Sequence, residues 1–150
     1  MRMISVAEEN PENFGPVDGS EYSDRALQHA IDTATKYSSE ICLIHVVSTI
    51  RDLITGPETH TYIDVSRELE ESGRRILSST HQLVEKAGLK VTTKLEHGQP
   101  ADRIVRIAKD KGFDLIVIGS RGLSAIKGFL LGSVSDKVTH HATCPVLVVK

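Results

Sequence analysis

The chain has 150 residues, of which 39% are hydrophobic and 25% are charged, an ordinary composition for one globular domain with a sizeable core. Its formal net charge is −2 and its sequence pI is about 6.4, which argues against a nucleic-acid-binding protein because such proteins usually carry a basic excess. No apolar run approaches the roughly 20 residues of a membrane-spanning helix, and the amino terminus does not follow a signal-peptide pattern. We therefore expect a cytoplasmic protein that binds neither nucleic acid nor a membrane.

The amino-terminal part of the chain lacks a clear first strand. Residues Asn13–Val17 (NFGPV) would have to form it, but a glycine and a proline interrupt them, and proline cannot donate to a strand ladder. Two alternatives stay open: a first strand of only three or four residues, or an irregular amino-terminal dozen. The Asp-Gly turn signal that follows predicts an Asx-turn or an N-cap at Asp18, with Ser20 and Ser23 as caps of the next helix.

Apolar, strand-like runs then alternate with helical periods. Continuous apolar runs at Glu40–Val47, Asp114–Gly119 and Cys144–Lys150 predict strands that are covered on both faces, as in a parallel sheet. Residues Lys90–Glu96 alternate more, which predicts a strand nearer an edge. The order along the chain predicts a doubly wound α/β domain with the sequence β-α-β-α-β-α-β-α-β.

Helices are predicted from apolar stripes of helical period at residues 26–34, 65–87 and 104–108, and from a short fourth stripe after Ser133. Gly88 and Gly112 stand where a C-cap glycine belongs. The segment Thr49–Asp64 shows no period, and we interpret it as a mobile loop.

Cysteine and histidine give little support to catalysis or metal binding. Cys42 and Cys144 lie in or beside apolar runs without metal-ligand spacing, so we interpret them as buried reduced thiols. Seven histidines are present, but no pair has helical i, i+4 spacing with a third ligand nearby. His45 lies inside a predicted strand, where a single polar residue is usually satisfied. Catalysis by Ser, His and Asp is not supported, since no Gly-x-Ser-x-Gly elbow exists.

The stretch Val117–Val138 (VIGSRGLSAIKGFLLGSVSDKV) is rich in glycine but fits neither common phosphate-loop pattern. A P-loop requires Gly-x4-Gly-Lys-Ser/Thr, whereas here Lys127 precedes Gly128. A dinucleotide fingerprint requires Gly-x-Gly-x-x-Gly, and Arg121 takes the place of its second glycine.

The chemistry of this stretch nevertheless suits an anion. Gly119 ends a buried strand at the carboxyl edge of the sheet, where ligands bind in open α/β folds, and Gly122 has no side chain to keep a ligand away. Ser133 is a good N-cap with Asp136 in capping-box position, and a helix start carries free N–H groups and partial positive charge. The alternative is that the glycines only form turns and that Ser133 only caps a helix.

The spacing Gly119-x2-Gly122-x9-Gly132-Ser133 resembles the ATP-binding signature of the universal stress protein family. Further segments match that family in the same order, and the resemblance covers Pro16 to Lys150. It implies one domain over residues 1–150 with a three-layer, Rossmann-like, five-stranded parallel sheet of the adenine nucleotide alpha hydrolase-like type, in the strand order 3-2-1-4-5.

The resemblance also implies a nucleotide site across the carboxyl ends of the first and fourth strands. Asp18 would approach the ribose or an accompanying Mg²⁺ or Mn²⁺ ion. The adenine would be framed by Pro16, Val17 and the backbone of Val46. The ribose and phosphates would be lined by Gly119, Ser120, Arg121, Gly122, Leu123, Gly132, Ser133, Val134 and Ser135.

We therefore expect a protein that binds ATP, ADP or AMP and acts in stress response or signalling, through contacts with itself or with an unidentified protein partner. Two alternatives remain: a slow ATPase that uses the same site, and a nucleotide-free dimeric interaction module. Hydrolysis is expected to be slow at most, because no obvious general base faces a γ-phosphate. The resemblance implies a homodimer in which residues 145–150 pair across a two-fold axis, consistent with an apolar edge strand.

Overall fold

The computed structural model describes residues 12–48, 59–123 and 131–150. Strands and helices alternate along these residues, as the apolar runs predict. The elements are β1 (Glu12–Pro16), α1 (Glu21–Tyr37), β2 (Glu40–Val47), α2 (Thr59–Lys86), β3 (Val91–His97), α3 (Pro100–Lys111), β4 (Leu115–Gly119), α4 (Ser133–His141) and β5 (Val146–Val149).

The five strands form one sheet in the order β3-β2-β1-β4-β5, and every neighbouring pair is parallel. The predicted strand order is therefore confirmed, and β3 lies at an edge as its alternating pattern indicates. The chain order reverses between β1 and β4. In an open α/β sheet such a reversal leaves a crevice outside the carboxyl ends of the strands, and ligands bind there.

The interrupted first strand does form, as the five-residue β1, which is longer than the predicted three or four residues; the rest of the amino-terminal dozen lies outside the described residues. β1 pairs with β2 along its whole length, but its register with β4 ends at Phe14. The Val17 N–H donates to the carbonyl of Ile44 at 2.8 Å. Since successive backbone groups of a strand point to opposite sides, the Pro16 nitrogen faces β4, beyond the point where that pairing stops. Proline is tolerated here because no ladder bond requires its missing N–H.

Buried side chains cover both faces of the sheet. Along β2, Ile41 and Leu43 pack on the face covered by α1 and α2, whereas Cys42 and Ile44 pack on the other face, which α3 and α4 cover. This alternation produces three layers with two apolar cores, and it explains why the strand reads as a continuous apolar run.

The observed ends of the helices agree only in part with the ends predicted from the sequence. Ser20 is the N-cap of α1, and Gly112 is the C-cap of α3 in the left-handed conformation with φ 70°. Helix α2 begins at Thr59, so the predicted loop over Thr49–Asp64 is wrong for residues 59–64, while residues 49–58 lie outside the described residues. A helix gains one backbone hydrogen bond for each residue that is added to it. Helix α2 therefore begins several residues before its apolar stripe, which starts at residue 65.

Both cysteines are free, but only one of them is buried. Cys42 is buried in the sheet, whereas Cys144 is half-buried, so the prediction of a buried thiol is wrong for Cys144. Burial raises the pKa of the Cys42 thiol, and desolvation also raises the pKa of Cys144. Because the thiolate is the nucleophile, a raised pKa makes each thiol less reactive.

In the described part of the chain, no helix is both long and apolar enough to cross a membrane.

Candidate functional site

A cleft of about 980 Å³ opens at the carboxyl edge of the sheet, next to the reversal between β1 and β4. Its walls come from the ends of β1, β2 and β4, from the first turn of α4 and from one side of α2. A cleft of this volume falls within the range of small-molecule sites.

The β1 side of the cleft is fixed by hydrogen bonds on both sides of one residue. Val17 donates its N–H to Ile44 and accepts a hydrogen bond at its carbonyl from Nδ1 of His45, each at 2.8 Å. Because a carbonyl oxygen can only accept, the Nδ1 atom carries the proton. His45 is thus a satisfied strand residue, as predicted, and it immobilises the backbone that lines the cleft.

Helix α2 packs directly onto this histidine, a contact that the sequence analysis missed. A Cβ atom at Gly73 would lie 2.5 Å from Cδ2 of His45 and 2.9 Å from Cδ1 of Leu95. Only glycine fits there. The available signal was a glycine inside a helical stripe, which costs about 1 kcal/mol relative to alanine and so indicates a packing reason.

Asp18 has one carboxylate oxygen engaged and one directed at the glycine-rich turn. Its Oδ1 atom accepts the N–H of Ser20 at 2.8 Å, which is the predicted Asx-turn, and its own N–H donates to Oγ of Ser23 at 3.2 Å. A Cβ atom at Gly122 would lie 2.8 Å from the Oδ2 atom. Gly122 therefore allows the turn to approach the Oδ2 atom of this carboxylate closely, and a side chain there would force one of the two to move.

Gly119 is required for a different reason. A Cβ atom there would lie 2.7 Å from both the carbonyl carbon and the carbonyl oxygen of Tyr22, in the first turn of α1. Backbone atoms cannot yield as a flexible side chain can. Gly119 thus allows α1 to pack on the end of β4, independently of any ligand.

Helix α4 begins with a glycine cap, so the prediction that Ser133 is its N-cap and Asp136 completes a capping box is wrong. The N-cap is Gly132, in an extended conformation with φ −74° and ψ 164°, and Ser133 is the first helical residue. The Asp136 N–H donates to the carbonyl of Gly132 at 2.9 Å, which closes the first helical turn one residue earlier than predicted. Gly132 has no side chain with which to cap the helix.

Two buried serines tie the turn after β4 to the start of α4. The Ser135 hydroxyl donates to the carbonyl oxygen of Ser120 at 2.7 Å, and its Oγ atom also lies 3.0 Å from the carbonyl oxygen of Gly132. The Ser120 carbonyl also accepts the Gly132 N–H, and the Ser120 N–H donates to Val149 of β5, both at 2.7 Å. Each serine is only 2% exposed. The hydroxyl of Ser135 therefore holds the scaffold, while the N–H groups of residues 133–135 have no acceptor within the helix.

A model of the universal stress protein family matches residues 15–150. The chain belongs to this family. It is 36% identical over 141 residues to universal stress protein YxiE of Bacillus subtilis, with 89% of this chain and 95% of that protein covered.

Solved structures agree with this assignment. The structure of MJ0577 from Methanocaldococcus jannaschii is 32% identical and has a TM-score of 0.81, with 93% of this chain and 95% of that chain covered. A universal stress protein solved in complex with cAMP is 26% identical and has a TM-score of 0.70, with 93% and 97% covered.

In this universal stress protein, the residues predicted for the site converge on the cleft with one exception. Ser120 does not line the cleft but lies behind it, and the other predicted residues, from Pro16 to Ser135, all line it. Residues 124–130, which include Lys127 and Gly128, lie outside the described residues. Within residues 12–48, 59–123 and 131–150, no three His, Cys, Asp or Glu side chains converge on a possible metal position.

The sequence analysis missed the wall that α2 contributes to the cleft. Leu69, Ser72 and Ile76 line this wall. They lie on the apolar stripe of α2 or beside it, and such a stripe predicts burial against the sheet without indicating which turn reaches past the strand ends.

Proposed function

We propose that this chain binds ATP, or ADP or AMP, in the cleft, and that it acts in stress response or signalling through nucleotide-dependent contacts. The observation that carries the proposal is the first turn of α4, which faces the cleft with a glycine as its N-cap. The N–H groups of Ser133, Val134 and Ser135 lack acceptors within the helix, and the helix dipole adds partial positive charge. Such a helix start is suited to phosphate oxygens.

The neighbouring residues suit the sugar of a nucleotide. Asp18 lines the cleft and its Oδ2 atom lies beside Gly122, and a carboxylate oxygen can accept a ribose hydroxyl or bind a hard divalent cation such as Mg²⁺ or Mn²⁺. A side chain at position 122 would collide with this oxygen or displace it.

The base would lie toward β1 and β2. Pro16, Val17 and Val46 line that end of the cleft, and the hydrogen bonds on both sides of Val17 hold its backbone in place. The relative solved with cAMP supports an adenine nucleotide as the ligand class.

We propose that the nucleotide is held rather than rapidly turned over. Hydrolysis requires a positioned water and stabilised phosphate charge. The glycine-rich stretch lacks the Gly-Lys-Ser/Thr of a P-loop, whose lysine and hydroxyl support phosphoryl transfer. Release of inorganic phosphate from excess ATP is the measurement, and multiple turnovers would favour the slow ATPase instead.

The primary experiment looks for the nucleotide itself. The chain has three tyrosines and no tryptophan, so its own absorbance at 280 nm is low and co-purified adenine nucleotide raises the 260 nm absorbance visibly. ATP at 100 times its Kd should stabilise the protein by about 2.7 kcal/mol, which corresponds to a rise in Tm of roughly 5–10 °C. Absence of both effects would contradict the proposal and favour the nucleotide-free interaction module.

We extend the proposal to a homodimer formed through residues 145–150. β5 lies at the edge of the described sheet, and its Leu147 is 38% exposed. An apolar edge strand is a template for pairing with a second chain. Light scattering at micromolar concentration should give twice the monomer mass, and Leu147→Lys should shift the protein toward the monomer. A monomeric wild-type protein would contradict the dimer but not the nucleotide site.

A further inference from the structure

The peptide unit that joins Val17 to Asp18 is held at both of its polar ends. Its carbonyl oxygen accepts the Nδ1–H of His45 at 2.8 Å, and its N–H donates to Oγ of Ser23 at 3.2 Å. Because a peptide unit is planar, these two hydrogen bonds together fix how it is turned about the chain. Val17 and Asp18 both line the cleft. The orientation of this one peptide unit therefore sets how both residues are presented to a ligand.

Helix α2 packs on the first of these two supports. Its Gly73 lies over a cross-strand pair, since His45 of β2 and Leu95 of β3 are register partners. A Cβ atom at Gly73 would come within 2.5 Å of the imidazole and within 2.9 Å of the Leu95 methyl. The methyl is the end of a flexible side chain, whereas the imidazole is a rigid ring that is tethered to the Val17 carbonyl. A side chain at position 73 would therefore disturb that hydrogen bond.

The same face of α2 meets the turn at a second point. Ile76 is three residues after Gly73 and therefore its neighbour on the helix surface. A Cβ atom at Gly19, whose φ is 80°, would lie 3.1 Å from Cδ1 of Ile76. Gly73 thus acts on the residue before Asp18 through His45, and Ile76 packs against the residue after it. Two adjacent positions of α2 hold Asp18 from both sides along the chain.

We infer that Gly73 and His45 are positioning residues through which helix α2 controls the affinity of the cleft for the nucleoside part of its ligand. This inference rests on the proposed nucleotide binding and deepens it, because it concerns the regulation of that site. Gly73 is not among the described residues that line the cleft, so it acts only through the histidine. A shift of α2 reaches Asp18 through the imidazole and the peptide unit that the imidazole holds.

The test is a double-mutant cycle on ATP affinity, measured by calorimetry on full-length variants. Gly73→Ala should weaken ATP binding roughly 3- to 10-fold, as expected for the loss of one hydrogen bond. His45→Asn provides an amide N–H that can replace the Nδ1–H, but it lacks the Cδ2 and Nε2 atoms that lie against Gly73. In the His45→Asn background, Gly73→Ala should therefore change the Kd for ATP by less than about twofold.

Gly88→Ala is the matched control, because it disturbs the end of α2 without meeting any neighbour. Gly88 has φ 76°, and a Cβ atom there would have nothing within 4 Å. Alanine is strained in this conformation, so Tm should fall while the Kd for ATP stays at its wild-type value. A merely structural role for Gly73 would give the same pattern, with a lower Tm and an unchanged Kd.

Two results would overturn the inference while leaving nucleotide binding intact: unchanged ATP affinity in Gly73→Ala, or an equally large loss in the His45→Asn background. Should Gly73→Ala fail to fold, His45→Leu decides, since it removes the Nδ1–H without adding volume beside the helix. That variant should also bind ATP roughly 3- to 10-fold more weakly, and wild-type affinity would overturn the inference. A wild-type protein that does not bind ATP would overturn the proposed function together with it.

Discussion

Helices α1 and α4 begin near the same turn after β4, yet their first turns are completed in different ways. At α1, the Oγ atom of Ser20 accepts the N–H of Ser23 at 3.1 Å, so the chain satisfies its own helix start. At α4, the N-cap is Gly132, which has no side chain, and the first turn opens into the cleft. A helix start that caps itself has fewer donors for a ligand, whereas one capped by glycine keeps them available.

The two glycines of the turn after β4 differ in the same way. Gly119 lies against the backbone of α1, and Gly122 lies against the carboxylate of Asp18. The first glycine therefore serves the packing of the fold, whereas the second lies beside the carboxylate that we propose contacts the ligand. The glycine spacing in the sequence does not distinguish these two roles, so mutations are needed to separate them.

The largest effect on binding is expected for Gly122→Val. The added side chain fills the space beside Oδ2 of Asp18, where a Cβ atom alone would come within 2.8 Å. We expect ATP binding to fall by at least about 100-fold, while Tm of the ligand-free protein changes little because Gly122 borders the cleft. Calorimetric titration and a thermal melt give the two values. Retained ATP affinity would show that the ligand does not cross this turn.

The second-largest effect on binding is expected for Gly132→Asp, which gives α4 a side-chain N-cap, as Ser20 gives one to α1. A carboxylate at the N-cap would accept the free N–H groups and repel phosphate, so ATP affinity should fall roughly 10- to 100-fold. The ligand-free protein should become more stable by a few tenths of a kcal/mol. Gly132→Asn is the matched control, since it caps without charge and should weaken ATP less. Unchanged affinity in both variants would remove α4 from the site.

Gly119→Ala should act mainly on stability. Its Cβ atom would lie 2.7 Å from backbone atoms of Tyr22, and relieving this overlap by shifting α1 should cost about 1–3 kcal/mol in the free energy of unfolding. Urea denaturation measures this cost. Wild-type stability would contradict the role of Gly119 in helix packing.

The smallest effect is expected for Ser20→Ala, at the self-capped helix start. Loss of the side-chain acceptor should lower the free energy of unfolding by about 1 kcal/mol, and the affinities for ATP and AMP should stay unchanged. Urea denaturation and calorimetry on the same preparation test both expectations. A selective loss of ATP affinity would mean that the start of α1 also contacts the phosphates.

The sequence predicted the order of elements because parallel strands that are buried on both faces retain continuous apolar runs. It left β1 undecided, because whether Pro16 is tolerated depends on which neighbour its nitrogen faces. It also placed the cap of α4 one residue late, because a backbone conformation at Gly132, rather than the hydroxyl of Ser133, decides where the helix starts.

The candidate site was predicted only in part. The family resemblance assigned Asp18, Gly119 and Gly122 to one site, and all three line the cleft. The contact between Gly73 and His45 was not, because it joins a helix to a strand far away in the chain, and local patterns carry no information on which turns meet. The hydrogen bond from the Ser135 hydroxyl to the Ser120 carbonyl was not predicted for the same reason.

The backbone of Ser120 joins two elements, and this has a consequence for regulation. Its carbonyl accepts bonds from the start of α4, and its N–H donates to Val149 of the edge strand β5. If the proposed nucleotide moved this turn, it would also act on the strand proposed to pair with a second chain. Thermodynamic linkage would make such coupling reciprocal: a nucleotide that tightened the dimer would itself be bound more tightly by the dimer, and protein concentration would then affect the apparent nucleotide affinity.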